Sequence, residues 1–70
     1  MVIKISKTSS FLGTLNTLLN YLRKARFRIP YWTVEGDEVY THISQKAVKY
    51  AEKNFPKYYQ LLTHYLYNGI

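Results

Sequence analysis

Residues 27–43, FRIPYWTVEGDEVYTHI, decide the fold. Two runs suited to a pleated, half-buried surface, Trp32-Thr33-Val34 and Val39-Tyr40-Thr41, meet at Glu35-Gly36-Asp37. A glycine between two such runs signals a hairpin, because short hairpin turns need a positive φ that glycine adopts without steric cost. The turn is expected either as Glu35-Gly36 with Trp32 facing Val39, or as a three-residue loop with Trp32 facing Tyr40. Setting Glu35 opposite Glu38 is disfavoured, since facing like charges repel. The first strand of the hairpin is expected from about Phe27 to Val34, with Pro30 confining it to an edge or a bulge.

Towards the N-terminus, residues 1–6 alternate through Val2, Ile3, Lys4 and Ile5 and read as a short strand. Ser9 or Ser10 is the expected N-cap of a helix over residues 11–25. Phe11, Leu12, Leu15, Leu18, Leu19 and Leu22 fall on one arc at ~100° per residue, with Asn16, Thr17, Asn20 and Lys24 outside it. Towards the C-terminus, Ser44 should cap a helix over residues 45–54, with Ala47, Val48, Ala51 and Phe55 inward. Asn54-Phe55-Pro56 breaks it and Pro56 opens another helix. That last helix should bury Tyr58, Leu61, Leu62, Tyr65 and Leu66 and stop at Asn68-Gly69.

The order is therefore β-α-β-β-α-α, an α+β class protein with one domain over residues 1–70. A crossover through the first helix would set strands one and two parallel, with strand three antiparallel to strand two. The expected architecture is a three-stranded sheet covered by helices on one face. The alternative leaves residues 2–5 as an unpaired arm beside a β-hairpin. No internal repeat, linker or low-complexity segment interrupts the chain.

At 70 residues the chain lies near the lower limit for a single core and buries only about 60% of its unfolded surface. Self-association into a homodimer is expected on the wide apolar arc of the last helix, formed by Tyr58, Tyr59, Leu61, Leu62 and Leu66. An apolar content of 47% excludes disorder, and the lack of cysteine excludes disulfides and thiolate metal sites. No run approaches the ~20 apolar residues of a membrane span, and MVIKISKTSS has no signal-peptide core. A soluble, cytoplasmic protein with no membrane partner is expected.

The net charge of +6 favours polyanionic partners. Its distribution says more, because Glu35, Asp37 and Glu38 leave Glu52 as the one acid elsewhere. Two cationic groups follow. All the arginines lie within residues 23–28, so Arg23, Lys24, Arg26 and Arg28 form a patch whose guanidinium forks suit phosphates and guanine edges. Lys46, Lys49, Lys53 and Lys57, spaced three, four and four apart, form a helical stripe fit for a row of phosphates. The blander readings are a solvated helix face and cations that complement the helix dipole. With the acids at the far end of strand two, the molecule should have a cationic end and an anionic tip.

Other constellations are weaker. Tyr31, Trp32 and Tyr40 could stack on bases, although period-two alternation sends either Tyr31 or Trp32 into the core. Residues 44–67 could form a helix-turn-helix exposing Lys57, Gln60, Thr63 and His64, but the turn lacks the usual glycine, and a helical hairpin over the sheet fits better. His42 and His64 have no metal-ligand spacing, so no metal or cofactor is expected. A basic ribonuclease using either histidine as base, with Tyr40 or an arginine stabilising charge, is a minor alternative. The leading expectation is a non-enzymatic nucleic-acid-binding protein, for DNA or RNA, of the kind a virus, phage or plasmid uses as a regulator. The runner-up is a small basic inhibitor or adaptor docking on an acidic protein, with Trp32 or Tyr67 at the centre of the contact.

Overall fold

Alternation in two strands builds the centre of the sheet. In the computed structural model, which describes residues 1–67, β1 is Val2–Ser6 and β3 is Glu38–His42. They pair antiparallel from Val2↔His42 to Ser6↔Glu38. Ile3, Ile5, Val39 and Thr41 are buried on one face, and by the period of two Lys4, Glu38, Tyr40 and His42 take the other. β2 (Thr33–Glu35) pairs with β3, and β4 (Leu66–Tyr67) with the far edge of β1, giving the order β2-β3-β1-β4.

Three helices cover the inner face. α1 (Leu12–Lys24) buries Leu15, Leu18, Leu19 and Leu22, the centre of the arc expected from the sequence. α2 (Gln45–Asn54) buries Ala47, Val48 and Ala51, and α3 (Pro56–Leu62) buries Leu62. With Ile29, Ile43 and the inward strand residues they form one core. Each fully buried leucine or isoleucine contributes about 1.5–3 kcal/mol against the entropy of ordering the chain. Over the described residues the protein is thus a small α+β fold of three helices and a four-stranded antiparallel sheet.

The strand order differs in one respect from the expected crossover. β1 and β2 do run in the same direction through α1, but β3 lies between them, antiparallel to both. β3 and β4 repeat the device through α2 and α3, with β1 between them. This is the split β-α-β arrangement. Length explains the choice: β3 offers β1 a five-residue alternating partner, whereas β2 is three residues, all exposed. The unpaired-arm alternative fails, since β1 is a central strand.

Four local expectations are corrected. The hairpin turn is Gly36-Asp37, so Glu35 does face Glu38. Gly36 has φ +62 while Asp37 is not among the positive-φ residues, the signs of a type II′ turn. The facing carboxylates are tolerated because Lys4 Nζ lies 3.3 Å from Glu38 Oε1, diagonally across the β1–β3 pair. β2 begins at Thr33, not near Phe27, because the preceding segment is folded by other bonds described below. α1 has Phe11 at its N-cap with no side-chain cap, although the Ser9 Oγ accepts from the Phe11 N–H at 3.1 Å.

The fourth concerns the last helix, which ends at Leu62. The chain turns through His64 and Tyr65, whose N–H groups bond back to Leu61 and Leu62. Leu66 and Tyr67 then supply the ladder that the free edge of β1 requires, and the Lys4 N–H donates to the Tyr65 carbonyl at 3.0 Å. The apolar arc on which self-association was expected therefore loses Leu66 to the sheet. Ser44 caps α2 as expected, accepting from the Ala47 N–H at 3.2 Å. The expected stop at Asn68-Gly69 lies outside the described residues. Among the described residues no helix is long and apolar enough to cross a membrane.

Candidate nucleic-acid interface

The C-terminus of α1 closes on itself before the chain heads for β2. The Phe27 N–H donates to the Leu22 carbonyl at 3.1 Å and the Arg26 N–H to the Arg23 carbonyl at 3.0 Å. This is the Schellman pair of bonds, with the half-buried Phe27 beyond the cap and buried Leu22 in the last turn. The residue in the left-handed position is Arg26, at φ 73, where helices usually carry glycine.

Segment 27–30 then alternates, and the pattern shifts by one residue at Tyr31. Ile29 is buried, Phe27 and Trp32 are half-buried, and Arg28 and Tyr31 are exposed. Side chains hold this strap in place of a β ladder. Arg23 Nε donates to the Ile29 carbonyl at 2.8 Å, and its two terminal nitrogens donate to Asn20 Oδ1 and the Pro30 carbonyl, each at 2.9 Å. Thr41, the one buried polar residue among those described, donates to the same Pro30 carbonyl at 2.7 Å. Trp32 Nε1 donates to Asn16 Oδ1 at 3.1 Å. Trp32 is therefore the inward aromatic of the pair and Tyr31 the outward one.

Arg23 is half-buried and spends its fork on the strap, so it positions the segment. Lys24, Arg26 and Arg28 are exposed. Arg23, Phe27, Arg28, Ile29, Pro30 and Tyr31 line a shallow open groove of ≈ 390 Å³.

On α2, Lys46, Lys49 and Lys53 are exposed and lie opposite Ala47, Val48 and Ala51 at ~100° per residue. Lys57 is exposed beyond the helix break. Sequence reasoning treated the arginines and the lysines as separate groups, but an aromatic cluster joins them. The Phe27 ring centre is 5.2 Å from that of Tyr50, which is 6.1 Å from Phe55. Tyr21 stacks on Phe55 at 5.4 Å with an interplanar angle of 10°, and Tyr58 closes the group edge-on. Arg26 and Arg28 flank Phe27 in sequence, and Lys46, Lys49 and Lys53 lie within about a turn of Tyr50. The cations thus neighbour in sequence the aromatics of one seam between the end of α1 and the α2–α3 joint. The available signal was the placement of aromatics at the ends of helices, which reads in isolation as ordinary core.

Three of the four acids are elsewhere. Glu35, Asp37 and Glu38 are exposed at the hairpin, and Lys4–Glu38 is the one ion pair among the described residues. Hydrogen bonding to Glu38 and its charge hold the Lys4 pKa above its ordinary value. Glu52 answers to α3 across the joint: its charge pushes the Tyr59 phenol up.

The remaining candidates are dispersed. α3 spans seven residues, and it joins α2 in the crossover between β3 and β4, as a helical hairpin over the sheet should. Gln60, Thr63 and His64 are exposed on it or just after it. His42 lies on the outer sheet face, edge-on to Tyr40 at 6.4 Å, beside a hollow shared with Val2, Lys4 and Glu35. Among the described residues no three His, Cys, Asp or Glu side chains are grouped to hold a metal ion. No protein-family model matches the chain, and neither a curated protein nor a solved structure matches it.

Proposed function

We propose that this chain is a non-enzymatic nucleic-acid-binding protein whose cationic helical end contacts phosphates. Lys24, Arg26, Arg28, Lys46, Lys49, Lys53 and Lys57 make the contacts, and Arg23 holds the strap that presents them. One observation carries the reading. Arg26 occupies a left-handed backbone position that costs an L-residue roughly 1–2 kcal/mol, while its side chain is exposed and makes no hydrogen bond among the described residues. Strain kept for a side chain that the fold does not use supports a role outside the fold. The placing of Glu35, Asp37 and Glu38 on the hairpin supports the same reading, because that tip would turn away from a polyanion and orient the protein on it. A regulator from a virus, phage or plasmid fits this description.

The test is a titration with labelled oligonucleotides at several salt concentrations. Replacing Arg26 and Arg28 together by alanine should weaken binding to all sequences and reduce the salt slope by up to about 1.8, at ~0.9 per lost phosphate contact. Arg26→Gly is the sharper variant, since it should weaken binding while raising the melting temperature. Parent affinity and slope in both variants would remove the phosphate site.

The second reading is a small basic inhibitor or adaptor that docks on an acidic protein. It is favoured by the outer face of the sheet, which no helix covers among the described residues and where Tyr67 is 52% exposed beside Lys4. An unchanged salt slope with oligonucleotides would bring it forward.

A further inference from the structure

Tyr31 is the most exposed large apolar side chain of the described residues, at 82%, yet it is held in place. The Arg23 guanidinium carbon lies 4.8 Å from the ring centre, over one ring face. That guanidinium is itself fixed by bonds to Asn20 on α1 and to the carbonyls of Ile29 and Pro30. Pro30 stiffens the backbone directly before the ring. The opposite ring face is open, and the groove beside it is bordered by Arg28.

We infer that Tyr31 is a stacking platform for an unpaired base, so that the ligand of the cationic end is single-stranded nucleic acid. The inference rests on the nucleic-acid reading above and narrows it. An exposed ring held beside a cationic patch meets no base face on a duplex, where the faces are occupied by neighbouring pairs. A single strand presents both its phosphates and its base faces, and aromatic rings beside a positive groove are the means by which such strands are held. Arg23 under the ring forms the lower layer of an Arg–Tyr–base stack and lowers the ordering cost, since the ring is set before the ligand arrives. Arg28, three residues before Tyr31, takes the phosphate next to the stacked base.

The experiment is an anisotropy titration of the parent, Tyr31→Ala and Tyr31→Phe with three labelled probes. The probes are a short oligothymidine, an abasic strand of the same length, and a duplex. The parent should prefer oligothymidine to the abasic strand. Tyr31→Ala should lower affinity for oligothymidine by about 5- to 150-fold, the worth of one base stack, and leave the abasic strand and the duplex unchanged. Tyr31→Phe should bind as the parent does. An equal loss on all three probes, or none, overturns the platform, as does a parent preference for duplex; in each case phosphate binding by the arginines still stands. A parent that binds none of the three probes overturns the platform and the nucleic-acid reading together.

Discussion

The short strand β2 has a connection at each end, and the two are made differently. The Gly36-Asp37 turn is fixed chiefly by backbone, through one positive φ, the ladder that flanks it and the Lys7 N–H, which donates to the Asp37 carbonyl at 2.8 Å. The strap before β2 is fixed by side chains, chiefly the Arg23 fork, Thr41 and Trp32. The first carries acids and presents no aromatic ring. The second carries Arg26, Arg28 and Tyr31. Backbone geometry sets where a chain goes, whereas a side-chain clamp also sets what faces outward. A surface meant to bind gains from the second kind.

The largest lesion tests whether the two connections share one support. Leu18 is fully buried in α1, and Leu18→Ala should cost about 2–5 kcal/mol, melting strap and hairpin in a single transition. Two separate transitions on calorimetry would show that the connections are independent units. Next comes Arg23→Ala, expected to cost about 2 kcal/mol because charged hydrogen bonds are lost and carbonyls are left short of donors. Hydrogen exchange should quicken in the strap and leave the β2–β3 amides as they were. Equal loss of protection at both would erase the distinction drawn here.

Two smaller changes should have opposite signs. Gly36→Val places a β-branched residue at φ +62, with open space around it, so backbone strain of about 1–2 kcal/mol should appear without a clash. Arg26→Gly removes the corresponding strain at φ 73 and should stabilise by about 1 kcal/mol. Urea melts of the pair give both signs directly, and a destabilised Arg26→Gly would mean that the arginine side chain supports the fold. The smallest effect belongs to Lys4 on the open sheet face. Its folded pKa is raised by Glu38, so the stability it contributes is fully present below its ordinary value of 10.5 and lost as pH rises through the raised value. A parent melting curve that loses a little more stability than Lys4→Met in that alkaline range is the expected sign, and identical curves would count against the pair.

Much of this plan was legible because it is local. The leucine arc of α1, the Ser44 cap and the hairpin itself depend on residues within a few positions of each other, and all three are present. The hairpin register was missed because its decisive partner, Lys4, is distant in sequence. β4 was missed for the same reason: Leu66 and Tyr67 look like the tail of a helix until Val2 and Ile3 stand beside them. At the candidate site, the cations were visible as charge, and the lysine stripe does lie opposite the buried side of α2. The role of Arg23 was hidden, since no spacing rule distinguishes an arginine that clamps a neighbouring loop from one that reaches into solvent. The left-handed Arg26 was hidden too, because the usual marker of that conformation is a glycine.

The position of β1 between β3 and β4 also sets an order in time. β1 is synthesised before both its partners, and neither of its edges is paired until residues 38–42 and then 66–67 have left the ribosome. α1 and the hairpin can form early from local contacts, while the strand they must enclose waits for the most distant pairings in the chain. Until residues 38–42 have emerged, the nascent chain therefore carries Ile3 and Ile5 without their strand partners. The two-residue ladder at Leu66–Tyr67, the shortest element in the sheet, is what closes the assembly.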